Sequence, residues 1–271
     1  MLGSLGYDII RGTQEQTEVL KNITSDISNA HTLGYKKVAT NFSETLNGQI
    51  AKYKSSDFSQ GSLRRTGDLL DVAIEGKGLF EVELPDGRRA YTRVGRFQLS
   101  SEGELVTMEG YRVLPQVEKS EKTNSTLLDL QNFSTKLGVN VPKLVIPHDL
   151  TPVIEEDGTV YGINENDRSS SEKIKLGKIS VVAFNNPDGL ESIHKGYYTQ
   201  TNSSGLPIEL KPGVSESIHV KQGYVEGSNV DMAETFMQLS QMRNLISAQF
   251  KALKTIDKIY ESIGYTMAKS V

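Results

Sequence analysis

Residues 228–267 read SNVDMAETFMQLSQMRNLISAQFKALKTIDKIYESIGYTM, and the reading of this stretch decides the fold. Apolar side chains recur at Met232, Phe236, Leu239, Met242, Ile246, Phe250, Leu253, Ile256, Tyr260, Ile263 and Met267. Every step is three or four residues and the mean is about 3.5, the period of a coiled-coil seam. No Pro or Gly falls between Met232 and Ile263, and Ser228 or Asn229 can cap the start. At about 1.5 Å per residue the helix would be about 60 Å long. That exceeds what most single domains cover, so its apolar seam needs a partner.

The other end of the chain offers one. Leu5, Ile9, Gly12, Gln16, Val19, Ile23, Ile27 and Ala30 follow the same three-and-four spacing, diluted in the middle by Gly12 and Gln16. Both termini read as amphipathic helices that hide their stripes against each other or against neighbouring subunits. Two core helices of one compact domain are the alternative that periodicity leaves open. Asn29 and Gly34 suit the end of the first helix, through a left-handed cap and a turn of the chain.

The residues between differ in texture. From Asp68 onward, short runs rich in β-branched and aromatic residues alternate with Gly, Asn and Asp. The runs are Val72–Ile74, Leu79–Leu84, Arg89–Val94, Arg96–Leu99, Leu105–Thr107, Arg112–Leu114, Lys143–Ile146, Val153–Glu155, Thr159–Ile163, Lys178–Phe184, Tyr197–Thr201 and Ser217–Val220. Asp86-Gly87 and Asp157-Gly158 are hairpin turns. The pattern predicts an antiparallel sheet or sandwich. Residues 118–140 and Asn164–Glu172 are polar and aperiodic and read as loops. The fold expected is α+β. A helix over 1–35 leads to a connector over 36–67, with some helix in Val38–Tyr53, then a β-rich domain over 68–227 and a second helix over 228–271. The two helices pair as a coiled-coil domain.

Composition sets bounds. The 271 residues carry a net charge of −4 with Lys and Arg dispersed, which argues against a nucleic-acid partner. No apolar run approaches about 18 residues, so no membrane insertion is expected. The N-terminus does not have the layout of a secretory signal peptide. With no cysteine, disulfides and thiolate metal sites are excluded.

Candidate catalytic groups are sparse. Gly76-Lys77-Gly78 lacks the third glycine of a dinucleotide loop and precedes a strand, so a hairpin turn is the better reading. His31, His148, His194 and His219 are isolated, without metal-ligand spacing. Asp68 and Asp71 form a close pair that acid–base chemistry could use, but cap or turn hydrogen bonds account for them more simply. No Gly-x-Ser-x-Gly elbow occurs. The chain reads as a non-enzyme with no cofactor and no small-molecule substrate.

Several blocks resemble the axial proteins of the bacterial flagellum, the rod and hook family. Its N-terminal signature, roughly Asn-Asn-Leu-Ala-Asn-x-x-Thr-x-Gly-Phe-Lys, stands here as residues 25–36, where Asn29, Thr32, Gly34 and Lys36 match outright and Ile27 and Tyr35 match in kind. Ser25 and Asp26 depart from it. The core blocks are Gln60–Gly67 with Gly61, Leu70–Phe80 with Leu70, Asp71, Ala73, Gly76, Gly78 and Phe80, and Tyr91–Phe97 with Tyr91, Thr92, Arg93, Gly95 and Phe97. Gly103–Thr107 and Phe184–Leu190 are similar too, and Gln222–Val230 matches Gln-Gly-x-Leu-Glu-x-Ser-Asn-Val through Ser228, Asn229 and Val230. In the last helix Arg243–Ser247 replaces the family's Gln-Arg-Ala-Tyr/Phe-Glu. The short segment 37–59 is more like a proximal than a distal rod protein, and a hook protein would carry a much larger outer domain.

The resemblance implies a structural subunit of the flagellar basal-body rod. Its terminal helices would polymerise with sister molecules and other axial proteins into a periplasm-spanning shaft. It would be exported through the flagellar channel without a cleaved signal and could touch the surrounding rings. Leu5, Ile9, Val19, Ile23 and Ile27 would pack on the stripe of the last helix, within and between subunits. Burial of each such side chain stabilises by roughly 1.5–3 kcal/mol, which predicts that both ends fray in the free monomer and fold on assembly. A distal rod or hook-type protein is the nearest alternative. A β-domain binding module dimerised by its coiled coil is the alternative of another class.

Overall fold

The computed structural model describes residues 2–44, 50–117, 143–164, 173–194, 196–213 and 218–269. The loop expected over 118–140 lies outside them. The chain begins with α1 (Leu2–Ser28) and a pair of strands, β1 (Val38–Glu44) and β2 (Ile50–Ser56). There follow β3 (Leu63–Arg65), β4 (Val72–Glu75), β5 (Leu79–Glu83), β6 (Arg89–Thr92), β7 (Phe97–Leu99), β8 (Leu105–Thr107) and β9 (Arg112–Val113). After 118–142 come β10 (Thr151–Ile154), β11 (Thr159–Ile163), β12 (Ile174–Lys178) and β13 (Val181–Ala183). The last strands are β14 (Glu191–His194), β15 (Tyr197–Thr199), β16 (Ile208–Glu209), β17 (His219–Gln222) and β18 (Tyr224–Glu226), before α2 (Met232–Lys269). The fold is α+β.

Two compact units emerge. A helical unit holds residues 1–30, 37–55 and 230–271, and a β unit holds 31–36 and 56–229. In the β unit the largest sheet runs β14-β15-β6-β5-β9-β8-β7, with β13 on β5 and β16 on β13. β10-β11-β12 form a second sheet, and the pairs β17-β4 and β18-β3 join strands from opposite ends of the unit. The ladders are antiparallel. The Asp86-Gly87 turn sets β5 against β6 with Glu83 opposite Arg89, and Gly87 supplies the positive φ of 79° that the turn needs. The core gathers Val72, Ile74, Phe80, Val82, Leu105, Ile146, Ile179 and Val181, with Phe80 edge-on to Phe97 at 5.3 Å.

Three local expectations change. Where helix was expected in Val38–Tyr53, the described residues lie in β1 and the first part of β2; Val38, Thr40, Phe42, Ile50 and Tyr53 are residue types that prefer the pleated backbone. Lys143–Ile146 is extended but forms only one isolated bridge, Val145 to Glu104 just before β8, while Leu144 and Ile146 alternate into the core. The run Lys178–Phe184 is divided: Ile179 and Ser180 bond to Gly158 and Leu114, so β12 ends and β13 begins in another sheet.

The long helix starts later than Ser228 or Asn229. Asp231 is its cap, since the Asp231 Oδ1 accepts the N–H groups of Ala233 at 2.8 Å and Glu234 at 3.1 Å. Asn29 closes α1 by donating its side-chain amide to the Ser25 carbonyl at 2.8 Å.

Candidate assembly site

In the helical unit α1 and α2 pack together. On α2 Met232, Thr235, Leu239, Met242, Ile246, Gln249, Leu253 and Ile256 are sheltered in alternating steps of three and four, with Gln238 half-buried beside them. Two polar residues stand on this face where sequence reading placed phenylalanines. Thr235 is fully buried, its hydroxyl bonded to the Asp231 carbonyl, and Gln249 Oε1 accepts the Thr13 hydroxyl of α1 at 3.0 Å. Gly12 lies beside Gln249, so the dilution of the α1 stripe makes room for that amide. Phe236, Phe250 and Tyr260 are 52%, 52% and 46% exposed. Together with Met237, Leu245, Ile259 and Tyr265 they leave the outer surface of α2 unusually apolar.

On α1, Ile23 is buried and Val19 and Ile27 are half-buried. The side chains of Leu5, Ile9 and Ile263 lie outside the described residues. The same helix anchors β1 through polar groups that sequence reading missed. Asp26, 2% exposed, accepts the Val38 N–H at 3.2 Å, and Asn22 donates to the Thr40 hydroxyl. Asp26, which departs from the family signature, thus receives the first residue of β1.

In the β unit the family blocks converge on one buried carboxylate. Glu226 Oε1 accepts the Lys36 ammonium at 2.7 Å and the Gly61 N–H at 2.8 Å, while Oε2 lies 2.8 Å from Arg93 Nε. Side-chain exposures are 0% for Lys36, 2% for Arg93 and 0% for Glu226. Lys36 also donates to the Ser59 carbonyl at 2.5 Å, and Arg93 donates to the carbonyls of Gly78 at 2.7 Å and Gly76 at 2.9 Å. The Gly76-Lys77-Gly78 turn thus holds a guanidinium with its carbonyls rather than a phosphate with its amides. Burial lowers the Lys36 pKa despite the pull of Glu226, and burial likewise lowers that of Arg93. The signal for Glu226 was its place in the Gln222–Val230 block; its partners, far away in sequence, were not readable.

Glycines let the segments approach. A Cβ on Gly61 would stand 2.2 Å from the Gly227 carbonyl, on Gly95 1.6 Å from that of Val72, and on Gly34 2.7 Å from the Val94 nitrogen. The remaining motif residues are packed or bonded in their own surroundings. Ala73, Phe80, Tyr91 and Phe97 are buried, Tyr35 is 7% exposed, and the Thr92 hydroxyl donates to the Gly196 carbonyl at 2.7 Å. Thr32 and Leu70 are half-buried, as are Ser228 and Val230. The Asn229 amide donates to the Asp57 carbonyl at 2.8 Å.

The acidic pair separates into two structural roles. Asp71 is buried and paired with Arg96 at 3.2 Å, and Asp68 closes a turn by accepting the Leu70 N–H at 3.0 Å. Among the described residues no three His, Cys, Asp or Glu side chains gather as a metal site, and no helix is long and apolar enough to cross a membrane.

Comparison with known proteins agrees with the motif blocks. Residues 73–162 match the flagellar hook protein FlgE/F/G D1 domain, and residues 221–264 match the C-terminal region of flagellar basal body rod FlgEFG proteins. The chain is 34% identical to the flagellar basal-body rod protein FlgG of Buchnera aphidicola subsp. Schizaphis graminum, over 76% of this chain and 68% of that one. It is 30% identical to FlgG of Borreliella burgdorferi over 92% of each chain. It is 29% identical to FlgG of Bacillus subtilis over 97% of this chain and 98% of that one. The family is structural, not enzymatic, and its members sit in the flagellar basal body. With its motif blocks meeting at Glu226 and its relatives matched across most of their length, this chain belongs to the flagellar basal-body rod protein family and is a structural subunit of the rod.

Proposed function

We propose that the chain polymerises with sister subunits and other axial proteins through the outer apolar surface of α2, with α1 and α2 pairing as a coiled coil inside the shaft. The observation that carries this reading is the pair Phe236 and Phe250, each 52% exposed on a helix whose other face is already occupied. Their spacing of two heptads repeats one position beside the α1–α2 seam. Contacts of this heterologous kind extend into a tube when they do not close. The finer expectations belong to the same reading: a shaft crossing the periplasm, passage through the export apparatus, a partnership with the surrounding rings, and helix ends that order on assembly.

The test is a Phe236→Ser, Phe250→Ser double variant of the full chain. Its urea midpoint as a monomer stays within the error of the parent, because neither ring is buried, while incorporation into basal bodies and swimming are lost. Normal incorporation would sink the proposal. Circular dichroism and limited proteolysis of the free chain test the ordering of the ends: full helix with both ends protease-resistant would remove assembly-coupled folding.

A further inference from the structure

The buried triad has a consequence for the order in which the β unit forms. Lys36 and Arg93 come early in the unit, and the anion in contact with both, Glu226, lies on its last strand. Lys36 receives a weaker attraction from the exposed Asp57. The last strands also complete ladders begun by the first: Val220 pairs with Ile74 on β4, and Val225 with Arg64 on β3. Between those strands the Gln222 amide donates to the Leu69 carbonyl at 2.8 Å and the Pro152 carbonyl at 2.9 Å. In the complete unit both cations are out of water, with carbonyl dipoles and Glu226 as their contacting counter-ion, so the buried arrangement cannot form around them until residues 219–227 supply that carboxylate. A buried ion left without its counter-ion costs far more than an ordinary lost contact.

We propose that Glu226 is a completion lock: the β unit does not close until the strand bearing Glu226 has docked, so a chain whose C-terminal part is still absent or in transit remains open. The device is a property of the fold and stands independently of the assembly surface on α2. Its use is that an incomplete chain keeps no stable globule, which suits any route that threads the polypeptide from the N-terminus. The late strand is both the last of the unit to be made and the one that neutralises its interior.

Pulse-labelling hydrogen exchange during refolding of the full chain from urea tests it. Amides of Val82 and Ala90, paired inside the β5–β6 hairpin, acquire native protection in the same kinetic phase as that of Val225, paired with Arg64. Native-level protection at Val82 and Ala90 while Val225 remains open would overturn the lock. Equilibrium unfolding provides the second arm. Glu226→Gln lowers the folding constant about a hundredfold or more, and adding Lys36→Met to it recovers at least about tenfold by removing one unpaired cation. Absence of that recovery, with both variants folded, would show that Glu226 acts through packing and not charge. Should neither variant fold, the pulse experiment on the parent chain decides alone.

Discussion

The carboxylate of Glu226 lies 2.7 Å from the ammonium of Lys36, although the two residues are 190 positions apart in the chain, and both side chains are fully buried. Arg93 closes the other side of the same carboxylate at 2.8 Å. One anion between two cations ties the beginning, middle and end of the β unit.

The two cations differ in what their loss leaves behind. Arg93→Ala removes an ion pair and strands the carbonyls of Gly76 and Gly78, so it destabilises by about 3–5 kcal/mol. Lys36→Met keeps Glu226 paired with Arg93 and with the Gly61 N–H, and costs less than half as much. Urea unfolding followed by tyrosine fluorescence ranks them.

Glycine positions separate just as sharply. Gly95→Ala drives a methyl against the Val72 carbonyl, 1.6 Å away, and prevents the chain from folding as observed. Gly110, at φ 84° with nothing within 4 Å, pays only for its conformation; Gly110→Ala costs about 1–3 kcal/mol. Soluble yield and thermal melts of the two variants make the comparison.

At the start of α2, Asp231→Ala removes the acceptor of the Ala233 and Glu234 N–H groups. The loss is about 1 kcal/mol and is confined to the first turn. Amide exchange at Ala233 and Glu234 rises while that at Ile246 is unchanged.

Acid acts through Asp157. Burial raises its pKa, but the hydroxyl and N–H of Thr159, with Lys178 at 3.3 Å, outweigh this and leave it below the ordinary 3.8. A depressed carboxyl contributes stability that is complete above about pH 4 and is lost as the pH falls through its folded value. Asp157→Asn therefore flattens the stability profile below pH 4 and lowers it above, as read by urea midpoints.

Alkali acts in the opposite sense on Tyr198. Burial pushes its phenol up to about 12, and a hydrogen bond with Ser56 opposes the shift. The neutral phenol is favoured in the fold, so stability is whole below pH 10 and is lost as the pH rises toward 12. Ultraviolet titration shows a phenol ionising near pH 12 that Tyr198→Phe removes, and the same variant reduces the alkaline loss.

Much of the fold was legible. The three-and-four spacing of Met232, Leu239, Met242, Ile246, Leu253 and Ile256 located the inner face of α2, because a helix maps such spacing onto one side. Phe236 and Phe250 fit the spacing equally well, and only packing shows that Thr235 is buried and that Gln249 bonds to α1 while both rings stay outside. A polar residue at a seam is invisible to a search for apolar ones, and Gln249 is accommodated by a hydroxyl at Thr13 and by the missing side chain of Gly12. β1 and β2 were hidden for a related reason: their polar residues carry little period, while the anchors that place β1 are Asn22 and Asp26 on α1.

By itself, then, the sequence determined the two terminal helices, most of the strands between them and the hairpin turns at Asp86-Gly87 and Asp157-Gly158, because each follows from side-chain period and backbone preference within a few residues. Tertiary structure alone decided that β17 and β18 return to β4 and β3, that α2 keeps Phe236 and Phe250 outward, and that Lys36, Arg93 and Glu226 share one dry site. Those choices depend on pairing energies between groups far apart along the chain, and no local pattern encodes which buried cation a distant carboxylate will meet.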